Sequence, residues 1–307
     1  MHKTSIKSFP LIALFAVFAV FILILASSQA AQAGPAKVDL RTASPFAILS
    51  GTPNITDAGN TSVINGNVGL SPATGAGIGL LCSQVSGTIY SVDATGPLPC
   101  RVTDGPLLLT AKNNLTTAYI DVAGRTPLTT VPTELGGTTL VAGVYDSVST
   151  TLGITSGAGP LVLDGQGDAS SVFIFQAPFS GTGLVVGSAS TVTLINGAQA
   201  CNVFWRVDSA SIGTTATFVG NILALNSITV ANGATINGRL LARNGNVTLI
   251  NDTITASVCA GNDTADVTPG LPNTGEHAQY IIWGAISTLL VASGLLLGYF
   301  AYKKRSV

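Results

Sequence analysis

The chain has 307 residues, of which 9% are charged, and its formal net charge is −1. Folded domains average about 25% charged residues, so the composition speaks against a nucleic-acid-binding patch and against an acidic, cation-buffering tract. The histidines are His2 and His277, both outside the predicted exported domain, which excludes a His-based catalytic triad or metal site there.

Residues 1–33 have the pattern of a secretory signal peptide. Two lysines precede an apolar run at 11–26, and Ala31-Gln32-Ala33 then resembles an A-x-A cleavage site. Cleavage after this site would start the exported chain at Gly34. The alternative is an uncleaved anchor helix.

A β-coil, an insert and a helix are predicted next. The stretch 62–70, SVINGNVGL, resembles the later stretch 234–242, ATINGRLLA, which indicates a coil near the N-terminus. We expect the insert at 71–103 to cap one end of the fold, because solenoids must protect their last open strand edges. Apolar residues then recur at helical spacing through 104–123, with Asp104 as a suitable N-cap.

Three consecutive blocks of 18 residues, 201–218, 219–236 and 237–254, repeat short β-rich segments between turns. Such a period is typical of solenoids. Eighteen residues divide into three sides of about six, so the sequence predicts an all-β-dominated fold, a right-handed parallel β-helix of triangular cross-section. In this alignment Phe204 matches Ile222.

The three predicted sides differ in polarity. The first is apolar on both faces, so we expect the helix to cover it. The second alternates: Ile228 and Val230 point inward, whereas Thr229 points outward. The third begins with a ladder of threonines. Small hydroxyl residues are also common on ordinary solvated β-surfaces, so neither ladder alone establishes a ligand.

Four cysteines in an exported chain predict two disulfides. Cys82 and Cys100 bracket a short segment containing glycine and proline and are expected to pair. Cys201 and Cys259 would then staple the last coils. The alternative is that the thiols are free and buried.

The C-terminal residues resemble the LPxTG cell-wall sorting signal of Gram-positive-type bacteria. After a linker at 260–270, an apolar stretch and a basic tail at 276–307 follow the motif. The resemblance implies that a sortase cleaves the chain and joins it to a cell-wall acceptor, with membrane contact only before processing. The alternative is a plain membrane anchor. The motif residues are Leu271, Pro272, Asn273, Thr274 and Gly275.

Segments along most of the exported chain, among them SPFAILSG, VINGNVGLSP, LDGQGDASSVFIFQ and INGRLLARNGNVTL, resemble the ice-binding-like (DUF3494) family in sequence and order. The resemblance implies that residues 34–259 form a discontinuous β-helix with a long helix alongside and a capping insert. It also implies ice, or ordered water, as the partner of one flat face. The chain departs from a strict pattern, because no regular Thr-x-Thr ladder runs through every coil.

The composition of the second side suits ice. Threonine carries a methyl and a hydroxyl on a stiff, β-branched side chain, and such groups held on a rigid face can order water at little further entropic cost. We therefore favour the second side. Its candidate residues are Thr151, Thr155, Ser209, Ser211, Ser227, Thr229, Ala231 and Thr248. The alternative face is the third side, with Thr191, Thr217, Thr235 and Thr253.

The sequence thus predicts an ice-binding protein that is secreted and anchored to the cell wall or cell surface. The alternative is an adhesin or structural surface module that binds glycan or protein on the same scaffold. No dinucleotide-binding or phosphate-binding loop is found, and charged residues are too scattered for a polysaccharide-cleaving site. We predict no enzymatic activity, no catalytic residue, no metal and no cofactor.

Overall fold

A computed structural model describes residues 34–177 and 183–260. The predicted signal peptide, sorting motif and C-terminal apolar segment lie outside these ranges. Within them, no helix combines the length and the apolar character needed to cross a membrane.

The described residues form short strands, one long helix and several 3-10 turns. In chain order the strands are β1 (Phe46–Ser50), β2 (Ile55–Asp57), β3 (Val63–Asn65), β4 (Asn67–Leu70), β5 (Ile78–Gly79), β6 (Ile89–Ser91), β7 (Arg101–Thr103), β8 (Leu128–Val131), β9 (Thr139–Val141), β10 (Gly143–Ser147), β11 (Thr151–Ile154), β12 (Leu161–Asp164), β13 (Phe173–Ala177), β14 (Gly183–Val186), β15 (Val192–Ile195), β16 (Val203–Val207), β17 (Ala210–Ile212), β18 (Thr217–Ala224), β19 (Ile228–Val230), β20 (Thr235–Ala242), β21 (Val247–Leu249) and β22 (Thr253–Thr255). The long helix is α1 (Gly105–Ala123), and the 3-10 turns are Arg41–Ala43, Gly75–Gly77, Cys82–Gln84, Ser156–Ala158 and Ala200–Asn202.

The strands stack in parallel sheets on three sides of a coil, and the predicted parallel β-helix is confirmed. The first side is the main part of a 12-stranded sheet, in the order β7-β6-β4-β1-β20-β18-β16-β13-β10-β8. The second side is a seven-stranded sheet, β11-β14-β17-β19-β21-β2-β5. The third side is the three-stranded sheet β9-β12-β15, continued by the first halves of β18 and β20 and by β22 and β3.

The coils do not follow the chain order. Strand β1 pairs with β20 and with β4, so the chain enters the stack between its early and late coils. It winds to one end through β7, crosses back along α1, and resumes at β8 on the opposite end. The predicted discontinuity is therefore present.

Helix α1 covers the first side. Asp104 caps it by accepting a hydrogen bond from the amide of Leu107 (2.9 Å). The helix buries one apolar face against the outward residues of the first-side strands, which explains why this side is apolar on both faces. The buried helix residues are Leu108, Ala111, Leu115, Ala118, Tyr119 and Val122.

The interior is filled by the inward residues of all three sides. Its largest side chains form an aromatic stack in which the rings of Phe175 and Trp205 lie 4.0 Å apart. The indole of Trp205 donates to the carbonyl of Val219 (3.0 Å), which satisfies its polar atom in the core. This packed core holds the sides rigid.

The insert does more than cap. Its strands β5, β6 and β7 pair with β2, β4 and β6, so it adds strands to the first and second sides before it closes the end. Both disulfides are present in the predicted pairing, Cys82–Cys100 and Cys201–Cys259.

One part of the repeat alignment was wrong by a residue. Trp205, not Phe204, pairs with Ile222. The later coil holds one extra residue, Leu225, at the corner after β18, and Asp208 and Asn226 are again in step beyond it. A corner absorbs an insertion because it makes no ladder pairs.

Candidate functional site

The second side presents one column of hydroxyl residues. In β19 the flanking Ile228 and Val230 are buried, whereas Thr229 between them is exposed. Register pairs Thr229 with Ser211 on one side and with Thr248 on the other. Thr248 pairs in turn with Thr56 of the early strand β2. Four hydroxyl side chains thus stand in line at the interstrand spacing of about 4.8 Å.

The hydroxyls of this column are largely available to water. Within the described residues, no protein group donates to or accepts from the side-chain oxygens of Ser211, Thr229 or Thr56. The hydroxyl of Thr248 accepts a hydrogen bond from the side-chain amide of Asn246 (2.9 Å). Because β-branched threonine is stiff about its first side-chain torsion, each of the three threonine methyl–hydroxyl pairs is held in a narrow orientation.

Two further outward columns flank the first. One lies two residues before it, just ahead of each strand, and contains Ser209, Ser227, Asn246 and Asn54. The other lies two residues after it, just beyond each strand, and contains Gly213, Ala231, Ile250 and Ala58. Ser227 donates to Asn246 (2.6 Å) and Ser209 to Asp208 (3.4 Å), so the hydroxyls of the first flanking column already have protein partners.

The candidates Thr151 and Thr155, in β11 and at the corner after it, do not continue the column of hydroxyl residues. Gly153 and then Val185 occupy the central positions in β11 and β14. Thr151 pairs with Gly183 in the preceding position. Thr155 lies at the corner after β11, where its amide donates to the carboxylate of Glu134 (3.0 Å). The hydroxyl column therefore begins at Ser211.

Thr56 is not among the residues of the second side that the sequence predicted. It lies in the tripeptide Asn54-Ile55-Thr56, which resembles Asn246-Val247-Thr248. That similarity is the one signal that could have found it. The likeness of 62–70 to 234–242 indicated an early coil, but not that its preceding strand would stack on β21 and extend the second side.

Two acidic residues next to the second side, Asp57 and Asp252, are buried where this side turns into the third, so their charges are not exposed on its surface. Asp252 accepts from the amides of Ala234 and Ile250 (2.8 Å each), and Asp57 accepts from the amide of Ser62 (2.9 Å). Burial raises the pKa of Asp252 to about 6. Between β17 and β2, none of the residues in the three outward columns is charged.

The third side carries the other predicted ladder. Thr191 bridges to Thr217, which pairs with Thr235, and Thr253 follows before the exposed Val63 ends the column. The surface of the third side is not flat throughout. A recess of about 260 Å³ lies beside Thr191. The strands then bend at Gly220, which has a φ of +116°, and at Gly238, where a Cβ would collide with the carbonyl of Gly220.

Two acidic residues four positions apart, Asp164 and Asp168, stabilise turns. Asp164 accepts from the amide of Gln166 (2.8 Å) and from the side chain of Asn196 (2.9 Å), and Asp168 accepts from the amide of Ser170 (2.8 Å). Across the described ranges, no group of three or more histidines, cysteines or acidic residues could hold a metal ion.

Residues 48–255 match the model of a family described as ice-binding-like. The chain is 43% identical to an ice-binding protein of Flavobacterium frigoris over 222 residues, which is 71% of this chain and 76% of that protein. It is 42% identical to an ice-binding protein of a Colwellia species over 231 residues, covering 73% and 85% of the two chains.

Solved structures give the same result. The DUF3494 domain of ice-binding protein 1 from Shewanella frigidimarina superposes with a TM-score of 0.65 at 28% identity, over 74% of this chain and all of that one. An ice-binding protein from an Antarctic biological consortium superposes with a TM-score of 0.62 at 35% identity, over 73% and 93% of the chains.

Proposed function

The chain belongs to the ice-binding-like family, and we propose that it binds ice through its second side while it is attached to the outside of a cell. The observation that carries this proposal is the column Ser211, Thr229, Thr248 and Thr56, held in register on an uncharged face. Its relatives are named as ice-binding proteins, which supports ice as the partner of this chain. None of these names describes an enzyme, which supports a function without catalysis.

Recognition of ice depends on how a protein surface orders the water next to it. A charged side chain organises water around itself, whereas alternating methyls and hydroxyls leave neighbouring waters free to adopt the hydrogen bonding of a lattice. Immobilising a surface water costs at most about 2 kcal/mol. Ordering the side chains that bind it is a separate cost, and a preorganised face lowers that second cost. A rigid row at a fixed interstrand repeat can therefore hold several lattice waters at once.

The anchoring part of the proposal is supported by the chain ends. The LPNTG motif at 271–275, the apolar stretch after it and the basic tail favour attachment to a cell wall by a sortase. The signal peptide at 1–33 would direct the export of the protein, and its cleavage would release the exported chain. A tethered protein suits adhesion to ice, or control of ice growth beside the envelope, more than it suits lowering the freezing point of the bulk solution.

The test is ice affinity of the purified chain from Gly34 to Thr274. We expect the protein to be incorporated into a slowly growing ice hemisphere well above the level of an inert protein of similar size. Exclusion from the ice at the level of that control contradicts the proposal. Binding to glycan or protein surfaces without ice incorporation would instead support the adhesin.

A further inference from the structure

We propose that the edge between the first and third sides is the attachment edge of the domain and faces the cell surface, so that the second side is held outward, toward ice. This inference rests on the proposed ice-binding function. It assigns a second surface, the one that faces the anchoring layer, and it follows from where the two ends of the described chain lie.

The C-terminal end is fastened at this edge. After β22 on the third side, Ser257 accepts a hydrogen bond from Arg239 at the start of the first-side part of β20 (3.1 Å). Cys259 is then joined to Cys201, in the 3-10 turn that connects the third side to the first. Finally, the amide of Ala260 donates to the side chain of Gln199 in the same connection (2.7 Å).

Gln199 also ties neighbouring coils together at this edge. Its side-chain amide donates to the carbonyl of Ala169 (2.8 Å), which lies in the preceding connection between the third-side strand β12 and the first-side strand β13. The last described residues therefore run along the corner, held by a covalent bond and several hydrogen bonds, and do not swing freely from β22.

The N-terminal end leaves from the same edge. A Cβ on Gly34 would stand 3.4 Å from that of Ala142, in the connection from β9 on the third side to β10 on the first. Lys37 reaches the sulfur of Cys259 with a Nζ–Sγ distance of 3.5 Å. Further along, the carbonyl of Ser44 accepts from Arg239 (2.7 Å). The two chain ends thus lie next to each other.

The second side is the side that does not border this edge. With triangle sides of about 20 Å, the edge stands roughly 17 Å behind the second side. The third side, by contrast, runs directly into the edge. An anchored domain therefore leaves the second side open, whereas the attachment and the anchoring layer crowd the third side.

Each way of anchoring the chain gives the domain the same orientation. A sortase linkage at Thr274 and a C-terminal membrane anchor both continue from Ala260, and an uncleaved N-terminal anchor continues back from Gly34. Since both residues lie at one edge, all three place the second side away from the layer that holds the protein.

The test varies the point and length of attachment. One preparation, residues 34–274, carries biotin after Thr274, and another, residues 34–260, carries it directly after Ala260, where the contacts of the β-helix end. Each is bound to fluorescent streptavidin beads, and the fraction of beads incorporated into a growing ice hemisphere is measured. We expect the two fractions to agree within twofold, because the bead at Ala260 lies behind the ice-facing surface.

The matched control is Asn244→Cys, biotinylated through its thiol. Asn244 is exposed at the corner between the first and second sides, so beads attached there should lose at least tenfold in incorporation, although the same variant free in solution should bind ice normally. Loss of incorporation by the beads at Ala260, or equal incorporation by the beads at Asn244, overturns the inference while ice binding stands. If the free protein itself is excluded from ice, the proposed function fails instead.

Discussion

Thr56 and Thr248 are direct partners in parallel strands of the second side, although one belongs to an early strand and the other to a late one. Their pairing joins the two parts of the discontinuous coil. Because of it, the hydroxyl column that begins at Ser211 does not end with β21. The candidate surface is therefore built by an early segment and a late segment of the chain.

The first prediction concerns the middle of this column. Thr229→Tyr should abolish most ice incorporation, because a bulky ring there lifts the ice lattice from both neighbouring coils. Thr229 is exposed, so the substitution should change the free energy of unfolding by no more than about 0.5 kcal/mol. Ice incorporation and the melting curve of the purified domain are measured together.

The matched control is Thr235→Tyr, at an exposed position of the third side. It should have the smaller effect. If Thr235→Tyr is the damaging substitution, the third side binds ice and the assignment is wrong. If neither substitution matters in a domain that binds ice, the site lies on another surface.

The second prediction concerns the junction. Thr56→Tyr should lower ice incorporation at least severalfold, because the ring would stand in line with Thr229 and Thr248. Thr61→Tyr lies in the same coil but outside the second side and should leave incorporation unchanged. If Thr56→Tyr leaves incorporation unchanged, the early coil does not contribute to the ice-binding surface. If Thr61→Tyr lowers incorporation as much as Thr56→Tyr does, the loss is not specific to the second side.

The third prediction concerns the disulfides. The Cys201–Cys259 bond spans 58 residues and the Cys82–Cys100 bond spans 18. Loop entropy gives losses of about 4 and about 3 kcal/mol for their removal. In one variant Cys82 and Cys100 are both replaced by serine, and in the other Cys201 and Cys259 are. Urea denaturation should show a large loss in the free energy of unfolding for both variants, and the larger loss for the variant without Cys201–Cys259. Unchanged midpoints would mean that the bonds do not form in the exported protein.

The fourth prediction is a pH dependence of stability. Burial lowers the pKa of Lys112 to about 7, with the nearby Arg243 adding to the effect. Between that value and the ordinary lysine pKa of about 10.4, the folded protein binds fewer protons than the unfolded chain. The free energy of unfolding should therefore rise with pH in this window, by up to about 1.4 kcal/mol per pH unit.

Lys112→Met should remove this part of the slope. The variant also loses hydrogen bonds from Nζ to the carbonyls of Ala242 (2.7 Å) and Arg243 (2.6 Å), which lowers its stability at every pH. The measurement is therefore the slope of the free energy of unfolding between pH 6 and pH 9, compared between the variant and the parent protein. Lys37→Met controls for the loss of one positive charge at an exposed residue. Parallel profiles for the parent and Lys112→Met count against the shifted pKa.

The fifth prediction concerns anchoring. In a host with a sortase, Thr274→Ala should leave the protein in the membrane fraction, because the acyl group that would be transferred to the wall belongs to this residue in the proposed motif. The measurement is the share of protein released by wall digestion compared with detergent extraction. Wall attachment that persists in the variant argues against the sorting signal.

Local pattern was enough to predict several features of this protein. The alternation around Thr229 determines which residues point outward, because successive side chains of a strand face opposite ways. Helical spacing of Leu108, Leu115 and Val122 marks the helix, and an apolar first side implies a cover for it. The even number of cysteines and their placement led to the two pairs.

The tertiary structure alone decided which strands are neighbours. The sequence alignment matched Phe204 with Ile222, since a corner residue such as Leu225 changes the repeat length without leaving a local signal. It also left the early coil without a place, so Thr56 was not assigned to the second side. Parallel strands are joined by long connections, and their register is set by packing between segments distant in the chain. The pairing of Thr56 with Thr248, and the meeting of both chain ends at one edge, therefore follow only from the folded core.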